Sequence, residues 1–249
     1  MSLGYVALDL RRVARAPSTL LLTAVLPAVL YLFGVMSQEW CTPGSGGVRG
    51  DARSAVVGPG ALGVMSAGLL IGAWVADERA AGWRRRLLLT PLSGPGYLAG
   101  KVAVGVLVAL PAAVVVPVTA VLVAGVSLTG ADWLRTTVLM WPGAVPFALL
   151  GLLIGQLSDR QGVRMRTAAA MLGLALVGGL LVPLSTLPDP VHLVAVLMPS
   201  FWLAEIGRSG VGASTSALVP ALMLAGWTVA LAVAVTWRDR RESAGRRGG

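Results

Sequence analysis

Few residues in this chain of 249 can do covalent or metal chemistry: one lysine (Lys101), one histidine (His192) and one cysteine (Cys41). A lone thiol far in sequence from the one imidazole gives little support for a nucleophile–base pair. One histidine cannot build a multi-histidine metal site, and one cysteine permits no internal disulfide. The run Gly94-Pro-Gly-Tyr-Leu-Ala-Gly-Lys-Val102 looks at first like a phosphate-binding loop. Pro95, however, stands where the first glycine must be, and Val102 replaces the hydroxyl that holds magnesium. The chain therefore carries no recognisable ATP site. Lys101 is expected to snorkel at the start of an apolar span.

The remaining chemistry-bearing residues are arginines, and the elements that hold them sort them. Six apolar segments, approximately residues 19–37, 54–76, 102–124, 136–157, 167–187 and 217–237, are each long enough to cross a hydrocarbon core of about 30 Å as a helix. With the N-terminus in the cytosol, the inner segments hold 16 of the 20 basic residues, and the outer ones keep only Arg49, Arg53, Arg135 and Arg208. Basic residues in short loops mark the cytosolic side, so both termini are expected to be cytosolic. The net charge of +9 then reports orientation. At a membrane edge such residues meet anionic lipid first, which argues against a nucleic-acid partner.

Composition agrees, because 56% hydrophobic and 12% charged residues leave too little polar surface to coat a water-soluble globule. The expectation is an all-α membrane protein forming one domain over 1–249: an interfacial helix (1–17), a six-span bundle (18–237) and a basic cytosolic tail (238–249). Along Leu3 to Ala16 an apolar side formed by Leu3, Val6, Leu10 and Val13 opposes Asp9, Arg11, Arg12 and Arg15, the pattern of a helix lying in the interface. No small-x-small cleavage site follows the first span, which is therefore read as retained. Pro27, Pro59, Pro111, Pro117, Pro142, Pro146, Pro183 and Pro220 fall within spans and predict kinked helices.

Two segments break the simple pattern of spans and loops. The stretch 190–204 is apolar but too short to cross, with Pro199 in its middle. It is expected to form a re-entrant or surface-lying outer helical hairpin before the last span, with Phe201 and Trp202 at the interface and Glu205 paired with Arg208. The pentapeptide GLLIG occurs twice, at Gly68 to Gly72 and at Gly151 to Gly155. GxxxG spacing puts two glycines on one helix face where backbones can approach closely, so these four glycines are read as packing sites inside the bundle.

The span interiors contain no Asp, Glu, Lys, Arg or His. Such residues usually carry proton relays and ion coupling, so a proton-driven carrier or intramembrane hydrolase is disfavoured. The inner loop after the second span, Asp77 to Tyr97, is the most informative segment. Residues 79–90 can form a short helix with Trp83, Arg84, Arg85, Arg86 and three leucines, stopped at Pro91. From the residues alone, a lever for a cytosolic partner and a basic loop that only fixes topology and binds headgroups stay equally open.

Glu78-Arg79, Gly82, Leu88 to Leu92 with Thr90-Pro91, Tyr97-Leu98 and Gly100-Lys101 resemble the "ER…G…L..TP.......L..GK" signature of type 2 ABC transporter permeases. That family includes daunorubicin-resistance permeases and polysaccharide and lipid exporters. The resemblance covers nearly the whole chain, from the interfacial helix through the six spans to the broken outer hairpin. It implies that the first inner loop is a coupling helix docking on an ATPase subunit, a role that falls by position on Arg79, Gly82, Trp83, Arg84, Arg85, Arg86, Leu89, Thr90 and Pro91. Trp83 and Arg84 to Arg86 depart from the family's usual Gly-Thr followed by an acid, which leaves the fit to the ATPase groove open. The second inner loop, with Asp159, Arg160 and Arg164, is implied as a lesser contact.

The resemblance further implies two permease chains, identical or paralogous, above two ATPase chains that bind ATP and magnesium. No cofactor is expected in this chain. The substrate passage is expected between permeases, with apolar walls to which Met65 and Met171 contribute flexible contacts suited to an amphiphilic drug or lipid. A membrane-embedded scaffold or sensor, and a secondary transporter, are the alternative readings.

Overall fold

The computed structural model describes residues 9–10, 21–36, 56–81, 94–123, 129–159, 161–181, 189–211 and 216–245. Among them every regular element is helical. Four helices are long and apolar enough to cross a membrane: Val57–Ala80, Gly96–Leu122, Gly130–Leu157 and Leu218–Arg241. A bent pair, Pro190–Leu197 and Pro199–Gly210, would make a fifth if counted as one span.

The helices are labelled in chain order. α1 is Leu26–Met36, preceded by a π-turn over Leu21–Val25. α2 (Val57–Leu69) and α3 (Ile71–Ala80) form one span, because Leu70 between them keeps right-handed helical angles and its N–H bonds the Ser66 carbonyl at 3.0 Å. α4 is Gly94–Leu122. α5 (Gly130–Met140) continues through the tight turn Trp141–Gly143 into α6 (Ala144–Leu157). α7 is Gly162–Val177, α8 is Asp189–Leu197, α9 is Pro199–Gly210 and α10 is Leu218–Gly245.

Small residues decide how these helices pack. The α2–α3 span is the centre of the bundle, 83% buried over its apolar window, whereas α10 is 22% buried and lies at the periphery. A Cβ on Gly63 of α2 would lie 2.8 Å from the Thr23 carbonyl oxygen and 3.1 Å from Ala112 of α4. Lipid tails are as apolar as leucine, so helices in a bilayer gain little from hiding apolar surface and much from such close backbone contact. Tyr31, Met65, Ile71, Val104, Phe147 and Leu203 are fully buried around this centre.

Local signals set several ends that the apolar pattern alone misplaces. α5 starts at Gly130, six residues before the expected span, because Thr129 and Asp132 form a reciprocal capping box. α7 ends at Val177, ten residues before the expected end of the fifth span. Gly179 there takes a φ of 70°, and the Leu180 and Gly179 N–H groups bond the Ala175 and Leu176 carbonyls at 2.9 and 3.3 Å. This is a Schellman closure, a left-handed turn that glycine adopts without a Cβ penalty. With 16 residues, α7 reaches about 24 Å, short of a full crossing, and residues 182–188 lie outside the described set. The first expected span contains a shorter apolar helix, Thr23–Phe33. The described helices thus give four or five candidate spans, and the expected six are not all represented as full-length helices.

The bent pair α8–α9 turns by 83° at Met198, whose extended backbone (φ −88°, ψ 139°) follows from the proline after it, which disfavours helical angles at the preceding residue. Trp202 Nε1 donates to the Val196 carbonyl at 2.7 Å across the bend, and the Phe201 ring packs edge-on against Trp202 and His192. Arg208 pairs with Glu205 one turn away. Of the expected N-terminal interfacial helix only Asp9 and Leu10 are described; both are helical, and Asp9 is buried.

Candidate functional site

The charged residues around the two ends of segment 82–93 come from three parts of the chain. α3 supplies Glu78 and Arg79, α4 supplies Tyr97 and Lys101, and the N-terminal segment supplies Asp9. Lys101 sits inside α4, and its side chain is fully buried. Its Nζ bonds Asp9 Oδ2 at 2.5 Å and Glu78 Oε1 at 2.6 Å. Tyr97, one turn earlier, donates its hydroxyl to the other Glu78 oxygen, Oε2, at 2.8 Å, and its ring lies 5.8 Å from the ammonium.

This corrects the snorkelling expected of Lys101. α4 begins at Gly94, eight residues before the expected span, so Lys101 lies about two turns inside the helix with its side chain directed at neighbouring segments. An ammonium has three donors on a compact head and can serve two carboxylates together. Deep burial of a charge is tolerated only when it is paired and hydrogen-bonded, and each partner here meets that condition.

Arg79 leaves this cluster on the other side. Its Nη1 donates to the backbone carbonyl of Gln156 at 2.9 Å, tying the end of α3 to the end of α6. The helix that begins the expected lever at Arg79 is therefore the tail of α3, which continues to Ala80. Gly82, Trp83, Arg84, Arg85, Arg86, Leu89, Thr90 and Pro91 lie outside the described residues.

In the second loop, Asp159 is exposed and its Oδ1 accepts the Gly162 N–H at 3.0 Å, closing the first turn of α7. Arg164 is exposed on α7, and Arg160 lies outside the described residues. Arg166, which sequence reasoning did not single out, donates from Nη1 to the Leu157 carbonyl and to Ser158 Oγ, both at 2.9 Å. It holds the α6–α7 corner.

The two GLLIG copies meet each other. A Cβ on Gly68 would lie 2.8 Å from the Phe147 Cβ and from the Ala148 nitrogen. One on Gly151 would lie 2.6 Å from the Leu69 carbonyl oxygen, and one on Gly155 2.5 Å from that of Gly72. A Cβ on Gly72 would overlap the Gly151 carbonyl. The α3 and α6 backbones are thus in direct contact, and any side chain larger than hydrogen would force them apart. Arg79 reaches the Gln156 carbonyl because this seam brings the two helix ends together.

Met65 is fully buried in the core and reaches no outer surface of the single chain, while Met171 is half-buried and packs against that core. Among the described residues no group of three or more His, Cys, Asp or Glu is placed to hold a metal ion.

The Asp9–Glu78–Tyr97–Lys101 cluster was not read from the sequence as a set of contacts. The available signal was that the chain's one lysine stands among 19 arginines at a span start, where arginine would serve equally well for topology.

Comparison with known proteins adds the family. The profile described as "ABC-2 family transporter protein" matches residues 53–238, which include the whole of α2 to α9 and most of α10. A protein of Bacillus subtilis (strain 168) named "Putative transport permease YvfS" is 23% identical over 194 residues, covering 78% of each chain. No solved structure matches. With apolar helices of spanning length, a centre closed by paired glycines and a family match over three quarters of its residues, the chain belongs to the ABC-2 transporter family as a multi-pass membrane permease.

Proposed function

We propose that this chain is the transmembrane subunit of an ATP-driven exporter. In this reading it moves an amphiphilic drug-like or lipid-like substrate out of the cell by alternating access, with a separate ATPase supplying the energy. Family membership implies an ABC ATPase partner in general. The proposed assembly has two permease chains, identical or paralogous, above two ATPase chains that bind ATP and magnesium, with both termini of each permease in the cytosol. No covalent step takes place in the permease.

The observation that carries the reading is the construction at the base of the loop 82–93. The loop leaves a helix anchored by Arg79 to α6 and returns to a helix anchored through Tyr97 to Glu78. A loop held at both ends transmits a push to helices, where a loosely tethered one would absorb it. Trp83, Arg84, Arg85, Arg86, Leu89, Thr90 and Pro91 are proposed as its partner-facing part, with Asp159, Arg160 and Arg164 as the lesser contact.

A secondary transporter would place its ionisable groups near the bilayer midplane. Glu78 and Lys101 instead lie near the ends of the spans Val57–Ala80 and Gly96–Leu122. That placement suits a mechanical joint better than an ion-coupling site.

The test is Trp83→Ala and an alanine block over Arg84 to Arg86, each co-expressed with the partner ATPase. Both variants are expected to insert normally and to lose most transport per ATP hydrolysed. Transport at the wild-type ratio in both would overturn the assignment of the loop as the coupling element.

A further inference from the structure

The charged cluster contains one partner that the loop itself does not need. Glu78 and Tyr97 already tie the two ends of the loop 82–93 together through the 2.8 Å phenol–carboxylate bond. Asp9, 92 residues before Lys101 in sequence, adds nothing to that closure and instead brings in the N-terminal segment. It is buried, and Leu10 beside it packs against the bundle core. The contact is therefore specific on both its polar and its apolar side.

We infer that Lys101 is a positioning residue that makes the N-terminal segment move with the loop 82–93. Its ammonium joins Glu78 at the loop's entrance, α4 at the loop's exit and Asp9 on the N-terminal segment at a single point. A displacement of the loop then reaches three segments together. This rests on the coupling role proposed above for the loop, and it adds the N-terminal segment as a second moving part.

The ammonium is suited to the task. It holds two carboxylates at 2.5 and 2.6 Å from a fully buried position. Removing it leaves two acids facing each other, whereas neutralising all three groups removes both the attraction and the repulsion while keeping the volumes. The triple variant Asp9→Asn, Glu78→Gln, Lys101→Met, in which the amide oxygen at 78 still offers an acceptor to the Tyr97 hydroxyl, thus separates linkage from folding.

The experiment is hydrogen–deuterium exchange on the permease in complex with its ATPase, in phosphatidylethanolamine and phosphatidylglycerol vesicles, with and without ATP and vanadate. In the wild type, nucleotide trapping is expected to change exchange in both residues 82–93 and residues 1–16. In the triple variant the change in 82–93 should persist and that in 1–16 should be lost, and Lys101→Arg should retain both. A nucleotide-dependent change in 1–16 that survives in the triple variant, or that is absent from the wild type while 82–93 responds, would overturn the inference and leave the coupling reading intact. No response in 82–93 of the wild type would overturn the coupling reading itself.

Discussion

Lys101 shows how strongly a membrane edge constrains a single side chain. Its ammonium has left water entirely, and the two carboxylates at hydrogen-bond distance are what make this tolerable. Breaking a buried ionic set by removing one member costs about 3–5 kcal/mol, because the remaining charges stay buried without compensation. Lys101→Met is therefore expected to lower the unfolding midpoint in detergent sharply. The triple neutral variant should recover most of that loss, and equal destabilisation of the two would show that packing, not charge, dominates the site. Trp141 offers a smaller case, since its Nε1 donates to the Val106 carbonyl at 2.6 Å, tying the turn after α5 to α4. Trp141→Phe should cost about 0.5–1.5 kcal/mol by removing that hydrogen bond, again read as a shift of the detergent unfolding midpoint.

At the scale of elements, the glycine seam between α3 and α6 is the contact most sensitive to size. Gly72→Ala and Gly151→Ala each push a methyl into a facing backbone carbonyl. Overpacking of this kind costs about 1–3 kcal/mol, and the cost should appear as a lower midpoint. Gly173 of α7 and Gly226 of α10 are the controls, because a Cβ there meets nothing within 4 Å. Alanine at either should be neutral or stabilise by up to about 1 kcal/mol through helix propensity. Equal behaviour of the seam and control variants would contradict the seam.

The sequence made this level partly legible. Two GLLIG copies pointed to close packing, and apolar windows located four of the spans to within several residues. The bend at Pro199 and the Glu205–Arg208 pair were also readable, because a proline and an i,i+3 charge pair act locally. What escaped depends on three-dimensional proximity or on a single backbone angle. Asp9 meets Lys101 across 92 residues, the two pentapeptides face each other within the chain, and α7 stops where one glycine turns left-handed. Apolar periodicity contains none of that information. The full burial of Met65 likewise depends on which helices surround α2 and not on its residue type.

For the molecule as a whole, the separation of charge from the apolar interior is the organising feature. Arg79, Lys101 and Arg166 have neighbours that fix helix ends, whereas the central span is lined by small and apolar residues. Such a bundle can move helices against one another without breaking ionic contacts at mid-membrane. The family implies an ABC ATPase partner in general, and in the proposed account the driving force comes from that partner. The most direct test of that dependence uses the purified permease in sealed vesicles, alone or with its ABC ATPase, and follows ATP-dependent transport of amphiphilic fluorescent dyes and fluorescent lipids. The account predicts transport only when the ATPase and ATP are both present. Equal transport by the permease alone, with no nucleotide-hydrolysing partner, would contradict it.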